Sequence, residues 1–577
     1  MGPEGPEMLI QSLAAVDAAD ATQASGLERF AATGTALLGH LLTLDARPET
    51  ARYAAGTVGQ GWSFSPLIGT PVSQLDALGL AGAVIIAEDE RHPRCRATAD
   101  HVALVSGGTT MRCLELWAEG QSRMFHTSGS FLHPSIAGGA ATSSHGSRLG
   151  FGGIQNMVLG MHLIVGSSEH VWIERASAPV LSDAGLAKLA IDGKPPRLVR
   201  DDDKFEDALV HLGAMGIVNG VALELIDNHK FALMQRVTLL TPEFLQDIAD
   251  GDFVKVAGRL NCSARPLFYE LTINPHRPFD FPVTNIMYFA TGRQNLVPSG
   301  PADILTPAEA ISQLGAKLLS GSVAAAASAP ELVASAPPAG ASIPPWVLPM
   351  LIGAESVFAF YLASKTYDMP NTPFDPEAEA PLGSKPFLWS ELHGGTITSG
   401  IPGALYNASF AIPLECVAKA IPLICAAVQG LLPAFVFTVR IVEGANGTLA
   451  FTRFEQNAVI EIDGLSPLIC LAAKARIDSR LHYAAELAAA LDQLAGTVPA
   501  GAAAVRKALD GAGIRYSMHW AKLGGLDQAK VYADYGHPRD PESLTHRWRA
   551  TRDDLLTDFG KRIFWNEAVI QYGLLDP

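Results

Sequence analysis

The chain has 577 residues, 48% of them hydrophobic and 17% charged, a balance that belongs to globular proteins and excludes a disordered one. Forty-two Lys and Arg against 58 Asp and Glu give a formal net charge of −16, and no basic run tracks a phosphate backbone, so nucleic acid is not an expected partner. Cys95, Cys113, Cys262, Cys416, Cys425 and Cys470 form neither a CxxC pair nor a zinc-finger spacing, which points to reduced thiols. The opening MGPEGPEMLIQSLAAVDAAD carries acid where an export signal needs base, and the expected location is cytoplasmic.

In chain order, residues 1–50 are expected to be helical, with Leu27, Phe30, Leu37, Leu38, Leu41 and Leu42 spaced by three and four. Residues 52–58 read as a strand running into Gly59-Gln60-Gly61-Trp62-Ser63, a turn that aims backbone N–H groups at a pyrophosphate. Short strands are expected at 83–87, 96–98 and 101–106, and a helix at 111–118. The stretch SGSFLHPSIAGGAATSSHGSRLGFGGIQNMVLGMHLIVG follows, from Ser128 to Gly166. Its Gly/Ala/Ser-rich loop lets backbone approach a flat or phosphorylated ligand, and its N–H groups suit an anion-binding nest. A strand at 157–165 comes next. Asp201, Asp202 and Asp203 read as helix-capping acids before Phe205, and no metal is expected. A helix ending in Leu212-Gly213-Ala214-Met215-Gly216 passes at once into a strand at 217–225.

From about Ile226 the texture changes to strands at 231–239, 253–256 and 266–274, then a Pro/Ala/Ser-rich excursion at 316–345. Beyond it a strand is expected at 406–412, a helix at 414–431, strands at 434–442 and 457–462, and a helix at 476–494. The texture is that of an α+β module. The apolar windows 346–363 and 409–437 are interrupted by prolines and charged residues, so they read as buried segments and no membrane span is expected.

Four places in register, GQGWSFSPL (59–67), the loop and strand 138–166, the junction LGAMGIVN (212–219) and HWAK (519–522), resemble the FAD-linked oxidoreductases of the vanillyl-alcohol oxidase/p-cresol methylhydroxylase superfamily. The nearest branch is that of the sugar-lactone and alditol oxidases. The resemblance implies an α+β, two-domain FAD-binding fold, with FAD-binding parts at 1–228 and 511–577 and an inserted α+β cap, or substrate, domain at 229–510. The 300–400 excursion has no counterpart in the family.

The same resemblance implies that FAD is held by Gly59, Gln60, Gly61, Trp62 and Ser63, by Gly138, Gly139, Thr142, Ser143, Ser144, His145, Gly146, Ser147 and Gly153, and by Gly216, Ile217 and Val218. Many members attach FAD through a histidine of the first loop. This chain has Trp62 there, whose indole lacks a suitable nucleophilic nitrogen, so FAD is expected to be bound non-covalently. His145 reads as a histidine hydrogen-bonded to its own loop. Lys522 is the expected cation at the flavin edge that gains negative charge. His519 is expected to orient or deprotonate a substrate hydroxyl. The two share a side only if the segment turns. Arg440 matches the Arg of the branch's Glu-x-Arg, whereas the Glu is replaced by Thr438, so a substrate-binding carboxylate is missing there; a surface salt bridge is the competing reading of Arg440.

The expected activity is oxidation of an alcohol carbon of a sugar, lactone, polyol or related small molecule, with oxygen or another acceptor reoxidising the flavin. Oxidative tailoring of a larger apolar metabolite and non-catalytic FAD binding are the alternatives. Oligomeric state is open.

Overall fold

The computed structural model describes residues 13–15, 26–46, 54–58, 63, 65, 67, 73–129, 132–291, 388–392, 405–477 and 484–576. Gly59 to Trp62, the 316–345 excursion and the window 346–363 lie outside them. The strands in chain order are β1 (Leu13–Ala15), β2 (Ala55–Val58), β3 (Ser73–Asp76), β4 (Ala83–Ile85), β5 (Val102–Ser106), β6 (Arg123–Met124), β7 (Val158–Ile164), β8 (His170–Glu174), β9 (Arg197–Arg200) and β10 (Ile217–Glu224). They continue with β11 (Ile226–Asp227), β12 (Lys230–Thr238), β13 (Phe268–Ile273), β14 (Val283–Thr291), β15 (Leu405–Pro413), β16 (Phe435–Glu443), β17 (Gln456–Leu465) and β18 (Ser517–Met518).

Two large sheets organise these strands. A six-stranded sheet has the order β4-β5-β10-β7-β8-β9, and a seven-stranded one the order β12-β14-β13-β16-β17-β15-β18. A parallel three-stranded sheet, β1-β3-β2, completes the N-terminal part, and β6 pairs with β11. The fold is mixed α+β.

The strands of the seven-stranded sheet alternate in a way that sets up two different faces. Leu271, Ile273, Phe437, Val439, Ile460, Ile462, Phe410 and Ile412 point into one large apolar core, which the helices Val417–Ala427 and Ala484–Gly511 cover. The register places Glu270, Thr272, Thr438, Arg440, Glu461, Asp463, Asn407 and Ser409 on the opposite face. That face is also buried, because the N-terminal loops and the C-terminal segment pack over it. A second core, under the six-stranded sheet, takes in both the helix Glu28–Asp45 and the C-terminal residues Trp520, Val531, Trp548 and Phe559.

Local differences from the sequence reading have identifiable causes. Residues 253–256 begin the helix Phe253–Arg259, whose first turn is capped by the Asp252 side chain accepting from Lys255 N–H. Phe253, Val256 and Ala257 are the buried side of this helix, while Val254 is exposed. Residues 96–98 form no strand. Within 476–494 the described helix is Ala484–Gly511, and a separate helix, Pro467–Lys474, comes before it. In the opening fifty residues the described helix is Glu28–Asp45. Asp201 does cap a helix, Asp202–Leu209, by accepting from Lys204 N–H, and Asp202 and Asp203 occupy its first turn, where the helix dipole favours acids.

Candidate functional site

A cleft with a cavity volume of about 240 Å³ runs between the Gly/Ala/Ser-rich loops and the polar face of the seven-stranded sheet. Ser63, Gly138, Gly139, Thr142, Ser144, His145, Gly216 and Val218 line it on the loop side, and Arg440, His519 and Lys522 on the sheet side.

Other expected cofactor contacts serve the protein itself. Ser143, in the left-handed region at φ 59°, is fully buried, and its hydroxyl accepts from Gln155 Nε2 (2.7 Å) and from Phe451 N–H (3.0 Å). A Cβ on Gly146 would lie 2.4 Å from the Ser128 carbonyl oxygen, and one on Gly153 2.4 Å from Gln155 Oε1. The Ser147 carbonyl accepts from Tyr269 N–H, and Ile217 packs in the second core.

Several amides of the expected anion nest are engaged within the loop itself. Gly138 N–H donates to Ser135 Oγ, Gly139 N–H to Ser135 O, Ser143 N–H to Ala140 O and Ser144 N–H to Gly139 O. These amides are consumed by the short helix Ile136–Ala141 and its exit turn, so the loop offers the cleft a wall of small side chains and hydroxyls. At Gly138 neither packing nor backbone demands glycine: φ is not positive, and the nearest atom to an added Cβ is the Ser135 hydroxyl at 3.2 Å. A side chain there would enter the cleft. The wall therefore fits a flat group laid against it.

The C-terminal segment reaches the cleft through a turn held at both ends. His519 N–H donates to Ser409 O (3.3 Å) and Leu523 N–H to Asn407 O (2.9 Å), both on β15. Between these anchors Lys522 N–H closes back on His519 O at 3.3 Å, which brings His519 and Lys522 to the same side. Trp520 pins the turn from behind: it is fully buried, donates from Nε1 to Leu449 O (2.7 Å) and stacks on Tyr535.

Arg440 and Lys522 meet on a carboxylate that sequence reasoning missed. Glu461, on β17 directly opposite Thr438, accepts from Arg440 Nε at 2.7 Å and from Lys522 Nζ, and Ser409 Oγ donates to it at 3.3 Å. The carboxylate absent at Thr438 is thus present one strand away. Thr438 instead donates to Asp463 Oδ2 (2.8 Å), whose other oxygen accepts from Asn407 Nδ2 (2.6 Å). Arg440 also pairs with Glu270 at 3.1 Å; it is salt-bridged, but buried at the cleft wall and not on the surface as the competing reading had it. The missed signal was Glu461 and Asp463 in VIEID: two acids two apart in an apolar strand share one face.

Burial and neighbouring charge sort these groups. Burial alone would raise Glu461, but Lys522 and Arg440 more than reverse it and hold its carboxyl well below the usual range. Burial and then the Glu461 charge push Asp463 up to about 7, and burial raises Glu270. Burial would lower Arg440, yet Glu270 and Glu461 hold its guanidinium above its ordinary value. The result is one firmly ionised carboxylate held by two cations, with the flanking acids shifted toward their neutral forms, so positive charge prevails at this end of the cleft. His519 is held well below its ordinary pKa by burial and by Lys522. Its Nδ1 accepts from Ala521 N–H (3.1 Å), which leaves the proton of the neutral ring on Nε2.

No family model matches the chain, and no curated protein matches it. Solved structures do. A variant of the cholesterol oxidase from Brevibacterium sterolicum shares 12% identity at a TM-score of 0.55, over 94% of this chain and 92% of that one. A second structure of the B. sterolicum enzyme gives the same values. A solvent-stable cholesterol oxidase shares 12% identity at a TM-score of 0.56, over 90% of each chain. Across nearly its whole length, the chain has the fold of these cholesterol oxidases.

Proposed function

We propose that the protein is an FAD-dependent oxidoreductase that dehydrogenates an alcohol carbon, with oxygen or another acceptor reoxidising the cofactor. Its FAD-binding domain would comprise 1–228 and 511–577, with a substrate domain at 229–510. The observation that carries this reading is the Arg440–Glu461–Lys522 cluster at the end of a cleft walled by Gly138, Gly139 and Ser144. The likeness to cholesterol oxidases supports it. Those neighbours also favour a second reading of the substrate, a larger apolar alcohol in place of a sugar, lactone or polyol.

When bound, FAD supplies the two-electron acceptor for hydride from the carbinol carbon. The chain's own residues do the rest. The small side chains of the Gly138 to Ser144 wall would hold the cofactor's flat face, and Trp62 leaves it without a histidyl link. Lys522 and Arg440, fixed by Glu461, would set positive charge at this end of the cleft for the bound cofactor, without reorganisation on reaction. His519 offers Nε2–H to the substrate oxygen and keeps it in place.

The test begins with the purified protein. It should be yellow, release its chromophore on acid precipitation, and bleach anaerobically with one member of a panel of cholesterol, benzyl alcohol, sorbitol and a γ-lactone. A colourless protein that takes up no added FAD, or a yellow one bleached by dithionite but by no alcohol, would overturn the reading.

A further inference from the structure

His519 is not arranged to take a proton. Its Nδ1 lone pair is occupied by Ala521 N–H, so Nε2, its remaining ring nitrogen, carries the hydrogen and acts as a donor. Alcohol oxidation releases the hydroxyl proton as well as the hydride, and the proton needs an acceptor. His145 has the opposite arrangement. Its Nδ1 lies 3.0 Å from the Gly146 carbonyl oxygen, which can only accept, so Nδ1 carries the hydrogen and Nε2 holds a lone pair. That Nε2 is buried and has no hydrogen-bond partner among the described residues, although His145 lines the cleft. Orphaned buried polar atoms are rare enough to require a reason.

The two rings are held as a pair. Phe451 packs against both, with centroids 5.6 Å from His145 and 5.0 Å from His519, and the imidazole centroids are 6.0 Å apart. Both rings line the same cleft.

We propose that His145 is a further catalytic residue, the proton acceptor for the substrate hydroxyl, which sits between His145 Nε2 and His519 Nε2–H; this rests on the alcohol-oxidising function proposed above. In the step, the O–H bond breaks and its proton goes to His145 Nε2. The C–H bond breaks with its electron pair passing to the oxidised flavin, and the carbinol becomes a carbonyl. Charged and titratable groups facing His145 are Glu461, Lys522, Arg440 and His519. Burial, with Lys522 and Arg440, lowers His145 to about 4 against the opposing effect of Glu461, so the lone pair is available at neutral pH and is lost as pH falls toward about 4.

Two measurements test this. In protein labelled with 15N-histidine, long-range proton–nitrogen correlations distinguish the tautomers, and spectra of His145→Gln and His519→Gln assign the rings. His145 should be the Nδ1–H form and His519 the Nε2–H form; the same tautomer in both would overturn the proposal. In the second, His145→Gln, or His145→Asn if the longer amide prevents flavin binding, should keep flavin and thermal midpoint. Reduction by the alcohol that bleaches the wild type should slow about 100-fold or more and lose its acid limb. Reduction by dithionite, which has no hydroxyl proton to give up, should be unchanged. A variant reduced by that alcohol as fast as the wild type overturns the role of His145 and leaves the alcohol-oxidising function standing. A wild type that no alcohol bleaches overturns the function, and this role with it.

Discussion

In the six-stranded sheet, His162 on β7 and His170 on β8 use every ring nitrogen, whereas around Glu461 on the seven-stranded sheet buried polar atoms are left without partners among the described residues. The first chain of bonds can be followed without a gap. His170 Nε2–H donates to Lys194 O (3.2 Å), so its Nδ1 accepts from His162 Nε2–H (2.8 Å); His162 Nδ1 accepts from Asn219 Nδ2 (3.0 Å), and Thr33 donates to Asn219 Oδ1 (2.7 Å). Glu174 nearby is closed in the same way, by Trp172 Nε1, Val180 N–H, Leu181 N–H and Arg200 Nε. Around Glu461, by contrast, His145 Nε2 and Glu270 Oε1 are buried without partners among the described residues. Burial and polarity are alike in the two places. What separates them is completion: a closed network joins strands, and an open one is built for something that arrives.

The sharpest way to break the comparison is Arg440→Met, which leaves Glu270 and Glu461 facing each other without their shared cation. A loss of about 3–5 kcal/mol is expected from removing one partner of a buried pair, read from urea unfolding. A loss under about 1 kcal/mol would mean that water, not protein, already solvates those acids. Next comes Lys522→Met. Glu461 keeps Arg440, and Lys522 is one-fifth exposed, so the fold should hold while flavin reduction by an alcohol falls ~100-fold. Unchanged reduction would remove Lys522 from the chemistry. Asn219→Ala opens the closed network and should cost about 1–3 kcal/mol, since His162 Nδ1 and Thr33 lose a partner, with no change in reduction rate. A changed rate would show that this network is coupled to the cleft. The smallest effect on stability is expected from Gly138→Val, whose added side chain enters the cleft, so the protein should stay folded but colourless. Full flavin content would dismiss this wall as a cofactor surface. Gly216→Val is no substitute, because φ is +103° and the added Cβ would lie 2.5 Å from the Ile164 carbonyl oxygen, so the fold itself would suffer.

Much of the local structure was legible because its signals are local. The strands around Tyr406, Val436 and Val459 show as short apolar runs, and the Asp201 cap as acids before Phe205. Register is not local. Nothing in the neighbourhood of Thr438 says that Glu461 stands opposite it, and the lost carboxylate was found only when two strands were laid side by side. The 253–256 run misled because three apolar residues around Lys255 are too few to reveal a period, although Asp252 carried the cap signal. The loop glycines were read as room for a ligand, and several are room for the protein's own carbonyls and side chains.

The two-residue strand β18 has a consequence for the order in which the molecule can be completed. It pairs with β15, and the turn carrying His519 and Lys522 hangs from that pairing. A chain emerges from the ribosome N-terminus first, so Arg440 and Glu461 are synthesised before Lys522. Until residue 522 arrives, Glu461 lacks one of its two cations and β15 presents an unpaired edge along Ala411 and Phe410. A product truncated before this point would lack both His519 and Lys522, and with them the Trp520, Val531, Trp548 and Phe559 side chains of the second core. It would also carry an open strand edge, the kind of surface that quality control and aggregation both recognise. Completion of this end of the cleft and protection of the sheet edge thus fall to the same few residues.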